Sequence, residues 1–219
     1  DLLASFIALF GVKQSAKPAD ASHPFGHGKL ENLSGTIEAL LIFAAAGWIL
    51  YEAVQKFLEP HPLRLPAWGA AVMLFSALVN LLVSRYLFRV ASETESMALQ
   101  ADAWHLRTDV YTSLGVTVGL SAIWLGEVVF PDLSLQWIDP AAAVLVAGLI
   151  LRAAYDLIRE SGRDLLDASL PPEEERTIHE RVQSFSPEVR GYHGLRTRKS
   201  GSERFIEMHV QVDANMSVE

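Results

Sequence analysis

Residues 101–125 read ADAWHLRTDVYTSLGVTVGLSAIWL, polar at the start and apolar from there on. An apolar run of this length reads as a membrane-crossing helix with its polar end near an interface. His105 and Asp109 stand in the polar half at i and i+4. In a helix such a pair shares one face, with Cβ atoms about 5–6 Å apart. An imidazole and a carboxylate so placed can grip one divalent ion, since zinc sits only about 2.0–2.2 Å from each ligand atom. The plainer alternative is a helix end whose polar residues lie in headgroups or water. A carboxylate inside an apolar span costs about 2.5–3.5 kcal/mol on insertion scales and usually marks an ion path. That favours the first reading for Asp109 over a local bond to Thr112 or Ser113.

The chain around this stretch has the same character. Of its 219 residues 50% are hydrophobic and 20% charged, with a mean hydropathy of +0.22. The apolar residues gather into spans at Leu33–Leu58, Ala67–Leu87, Asp102–Gly126 and Asp139–Ile158. Asp1–Val12 is a further apolar segment, about 18 Å long as a helix and short of a hydrocarbon core of about 30 Å. It is expected to be the second half of a spanning helix, with Asp1 inside it. Between the spans lie a Pro- and Gly-broken loop at Lys13–Glu31, a Pro-rich turn at Glu59–Pro66, a charged link at Arg85–Gln100 and a loop at Glu127–Ile138. Gly35, Ala39, Ala44–Ala46 and Gly47 suit close helix contact. The expectation is an α-helical transmembrane bundle over residues 1–160, followed by a small soluble α/β domain over 161–219.

In that second part Pro171–Phe185 opens with Pro and three Glu, as a helix N-terminus does. Val189–Arg198 and Arg204–Asp213 read as strands joined by a hairpin turn at Lys199–Ser202. Ile206, Met208, Val210 and Val212 alternate with polar residues, so one strand face is expected to be core.

Charge narrows the partners. The net charge of −8 argues against nucleic acid. The chain has no cysteine, so disulfides and thiolate metal sites are excluded and any metal must be held by His, Asp and Glu. Loop 13–31 carries Lys13, Lys17 and Lys29, and link 85–107 carries Arg85, Arg89 and Arg107, whereas loop 59–66 has only Arg64. By the positive-inside rule the basic loops and the soluble tail share the cytoplasmic side.

Two further groups have ligand chemistry. Asp20, His23 and His27 fall within eight residues of the first loop and either fold around one ion or form an ordinary polar loop. His193 and His209, on the two expected strands, either meet on one sheet face or stand apart in solvent. Lys29 and Asp167 read as lone charges beside membrane ends. His105, Asp109 and Asp1 make a nitrogen–oxygen set suited to zinc-like ions. No His-Glu-x-x-His motif is present in the sequence, which argues against a membrane metalloprotease.

Taken together, PADASHPFGHGKLENL, ADAWHLRTDVYTSLGV, DLLDASLPPEEER and GYHGLRTRKSGSERFIEMHVQV resemble the cation diffusion facilitator family, in particular its bacterial zinc/iron efflux transporters, from end to end. The resemblance implies six transmembrane helices, of which this chain lacks the first and the start of the second. It implies a transport site joining two carboxylates of the second helix to the His and Asp of the fifth. These match Asp1, His105 and Asp109, with one carboxylate missing. It also implies a loop site at Asp20, His23 and His27, and a cytoplasmic zinc cluster near a dimer interface that includes His193 and His209. Lys29 and Asp167 match a charge pair between subunits, and the soluble domain matches a metallochaperone-like fold. The implied activity is efflux of Zn²⁺, Cd²⁺ or Fe²⁺ in exchange for protons, by a homodimer in the bacterial inner membrane. A transporter of manganese, cobalt or nickel, or a metal sensor, would share the fold.

Overall fold

The computed structural model describes residues 2–59, 67–129 and 137–216. Five helices come first: α1 (Leu2–Ser15), α2 (Lys29–Leu58), α3 (Ala67–Thr94), α4 (Met97–Val129) and α5 (Ile138–Leu165). Then α6 (Pro172–Gln183) precedes a hairpin of β1 (Val189–Ser200) and β2 (Glu203–Val212). Asp1 lies outside the described residues.

Among the described residues α2, α3 from residue 71, and α5 are long and apolar enough to cross a membrane. At about 1.5 Å per residue the 30 residues of α2 reach about 45 Å. α4, on which the third span is expected, has 33 residues. Asp109, Thr112, Ser113, Thr117 and Ser121 make it more polar, and α1, α2, α3 and α5 all pack against it. Large apolar side chains such as Phe43, Phe75, Leu78 and Leu145 point outward, a lipid-facing surface.

The expected charged link at 85–100 is mostly helix. Between Ala70 and Thr94 α3 meets no Gly or Pro to stop it, and it ends where Glu95 takes a left-handed φ of 52°. Ser96 then caps α4, its Oγ accepting the Leu99 amide at 3.3 Å.

The core is built from small residues, which let the helices approach closely. Ile42 and Ala46 of α2 pack with Val146, Ile150 and Ala154 of α5. Ala39 meets Met97, Ala101 and Leu157. A Cβ on Gly35 would stand 3.1 Å from the Met97 carbonyl oxygen, so glycine is what lets α2 and α4 touch there. Gly47 has open space around it and makes no such contact.

α5 runs through the expected boundary at residue 160 and ends at Leu165. The hairpin turns at Gly201, whose φ of +61° favours glycine. Strand register pairs His193 with His209. The face expected to be core is a correction: Ile206, Val210 and Val212 are each close to half exposed. Among the described residues the 12-residue α6 and the longer α5 both meet β1.

The soluble domain is fastened to the bundle. Asn32 of α2, fully buried, donates to Asp164 Oδ2 at 2.9 Å and accepts the Gly201 amide at 3.1 Å. A Cβ on Gly28 would stand 2.4 Å from the Ser200 carbonyl oxygen.

Candidate metal centre

α4 carries His105 and Asp109 one turn apart, and both line a cavity of about 460 Å³ between α1, α2 and α4. Ala4, Glu38, Leu41, Ile42 and Ile49 form the facing wall. The Asp109 carboxylate is not tied to Thr112, whose hydroxyl instead donates to the Asp109 main-chain oxygen at 3.1 Å. Asn80 of α3 donates to Asp109 Oδ2 at 3.4 Å. One oxygen of Asp109 is thus oriented from the neighbouring helix.

Two acidic residues of this region were not singled out from the sequence. Glu38 is 1% exposed, and neither of its carboxylate oxygens has a hydrogen-bond partner. Asp102 Oδ1 is likewise buried and unpartnered. The signal was present: Glu38 interrupts an apolar run just as Asp109 does.

The loop site closes up as the spacing allows. Asp20 Oδ1 accepts the amides of Ser22 at 2.8 Å and His23 at 2.7 Å, which folds the loop back on itself. Gly26 completes the bend with a φ of 78°. His23 Nδ1 lies 3.3 Å from Asp20 Oδ1, and His27 Nε2 lies 3.6 Å from Asp20 Oδ2. One ligand atom from each residue falls within 4.8 Å of the others. The His23 amide, and behind it the Ser22 amide and the His23 ring, hold the Asp20 carboxyl below the usual carboxylate range. An ionised carboxylate beside two imidazoles is a suitable donor set for a borderline divalent ion.

The hairpin brings the other two imidazoles together. His193 Nε2 and His209 Nδ1 stand 3.3 Å apart, with the rings edge to face. Two ligands about 2.0–2.1 Å from a tetrahedral zinc stand about 3.3 Å from each other, so the spacing suits two corners of one such site.

Lys29 Nζ lies 2.9 Å from Asp167 Oδ1, and Arg198 shares the same oxygen at 3.2 Å. The Lys29 hydrogen bond, followed by that of Arg198, holds Asp167 below the usual carboxylate range. The resemblance implies this pair between subunits. Here it closes within one chain, because α2–α5 packing brings the first residue of α2 beside the second residue past α5.

The profile of the cation efflux transmembrane domain matches residues 1–166, and that of the cation efflux protein cytoplasmic domain matches residues 170–219. The chain belongs to the cation efflux family. An uncharacterized transporter of Synechocystis is 36% identical to this cation efflux protein over 219 residues, 100% of this chain and 68% of the relative. The cation-efflux pump FieF of Pectobacterium carotovorum is 34% identical over 213 residues, 97% of this chain and 68% of the pump. That of Cronobacter sakazakii is 33% identical over 216 residues, 99% and 69%. As a member of this family the protein is an integral membrane cation transporter and not an enzyme, with a cytoplasmic-domain type that points to dimerisation.

Proposed function

We propose that this cation efflux protein expels divalent metal ions, zinc foremost, from the cytoplasm in exchange for protons. The observation that carries the reading is His105 and Asp109 on one helix face, lining a cavity enclosed by helices. With Asp1 they form the transport site. One imidazole among carboxylates favours Zn²⁺ or Cd²⁺ over Mn²⁺, which prefers oxygen shells, and leaves Fe²⁺ within range. The exchange follows from ligand chemistry: imidazole and carboxylate bind metal only when deprotonated, so protons arriving from one side release the ion to that side.

The protein works as a homodimer in the bacterial inner membrane, with its tail in the cytoplasm. The basic residues of loop 13–31 and link 85–107 support that orientation. Asp20, His23 and His27 bind a second ion at the loop. His193 and His209 contribute to a cytoplasmic zinc site that favours the transporting dimer. Lys29 and Asp167 brace the junction of the two domains.

The test is zinc uptake into proteoliposomes under an imposed pH gradient, with internal pH recorded. His105→Ala and Asp109→Ala, each in the full-length protein, should abolish zinc-driven proton flux. Unchanged flux in both variants would overturn the site.

A further inference from the structure

Glu38 sits ten residues into α2, 1% exposed, with both carboxylate oxygens unpartnered. The Ala8 amide of α1 lies nearby but belongs to the ladder of its own helix. A buried carboxyl left without partners is destabilising. Folding alone does not call for it, and a well-packed apolar residue would serve stability better.

Its position along the bundle is informative. Gly35 meets the Met97 carbonyl, while Ile49 and Thr112 line the far part of the same cavity. α2 and α4 therefore run in parallel from the loop end. At about 1.5 Å per residue, Glu38 lies about 4.5 Å beyond Gly35 and Asp102 about 7.5 Å beyond Met97. His105 and Asp109 follow at about 12 and 18 Å. Asp102 is near enough for its carboxylate to act on that of Glu38. Two acidic side chains with unpartnered oxygens thus precede the imidazole on the way in from the loop.

We propose that Glu38, with Asp102 beside it, is a cation-binding station at the loop end of the cavity, occupied before the ion reaches His105 and Asp109. It rests on the transport-site reading. Its donors are all oxygen, so it takes a divalent ion that still holds part of its water shell and discriminates less among metals than the imidazole-containing site. The ion supplies the partner that the carboxyl of Glu38 lacks.

The test compares Glu38→Gln, Glu38→Asp and Asp109→Ala in the full-length protein, reconstituted in proteoliposomes and assayed with Zn²⁺ and Cd²⁺. Glu38→Gln should raise KM for both metals about tenfold, in the range seen when groups supporting a metal site are lost. Glu38→Asp should recover part of that change. Melted without metal, Glu38→Gln should be at least as stable as the parent, since it removes an unpartnered buried carboxyl. A KM unchanged in Glu38→Gln, or a metal-free melt clearly below the parent, overturns the station. If Asp109→Ala abolishes flux while Glu38→Gln keeps its KM, the station alone falls. If Asp109→Ala also transports normally, the transport-site reading falls with it.

Discussion

Asn32 joins three parts of the chain: its side chain accepts the Gly201 amide at 3.1 Å and donates to Asp164 Oδ2 at 2.9 Å. The residue is fully buried, so its removal leaves a donor and an acceptor without water to replace it. Asn32→Ala should cost about 1–3 kcal/mol. The check is a thermal melt of the purified protein in detergent, together with limited proteolysis near residues 166–171. An unchanged melt and unchanged cleavage would mean that Asn32 does not hold the domains together.

Glycine substitutions should separate contact from open space. A Cβ on Gly28 would stand 2.4 Å from the Ser200 carbonyl oxygen, whereas Gly47 has nothing within 4 Å. Gly28→Ala should destabilise by about 1–3 kcal/mol through overpacking. Gly47→Ala should be neutral or stabilise by up to about 1 kcal/mol through helix propensity. Equal melting temperatures for the two variants would contradict this packing.

At the loop, Asp20→Ala and His23→Ala should each lower the number of zinc ions bound per chain by one. Isothermal titration with zinc measures it. The same stoichiometry as the parent would show that these residues do not form a metal site.

The junction has a defined pH response. Lys29, and then Arg198, depress the Asp167 carboxyl below its usual value of 3.8. A depressed carboxyl stabilises the fold above its ordinary value, and that contribution is lost as pH falls through the lowered one. Lys199 first and Arg204 next act the same way on Glu95, whose usual value is 4.5. Asp167→Asn should therefore melt below the parent by a constant amount between pH 5 and 8, with the gap closing below about pH 4. These pairs are partly exposed, so each is worth no more than about 1 kcal/mol. A gap that widens on acidification would reverse the sign argued here.

Much of the bundle could be read from the chain because lipid-facing segments must be apolar throughout and breaks need Gly, Pro or charge. His105 and Asp109 stood out because polar groups in such segments are costly. The hairpin turn could be read from Gly201, but the pairing of His193 with His209 was left open by the sequence, because it depends on a register shift between His193 and Arg196. Other features depended on tertiary context. Charge between Arg85 and Glu95 suggested a link, but helices continue past a membrane wherever nothing stops them. Alternation in β2 implied a covered face, yet covering depends on what lies opposite. Glu38 was passed over because one carboxylate in an apolar run does not reveal which helix it meets. The Lys29–Asp167 contact within one chain depended on α2–α5 packing, which spacing does not encode.

The bond from Asn32 to Gly201 and the close approach of Gly28 to Ser200 have a mechanical outcome. The hairpin turn and the first turn of α2 cannot swivel against each other, so they move as one lever. A tilt imposed at the far end of the hairpin, where His193 and His209 stand, reaches α2 as torque. α2 also carries Glu38, Ile42 and Ile49 along the cavity wall, so reshaping that wall requires no hinge between the soluble domain and the bundle.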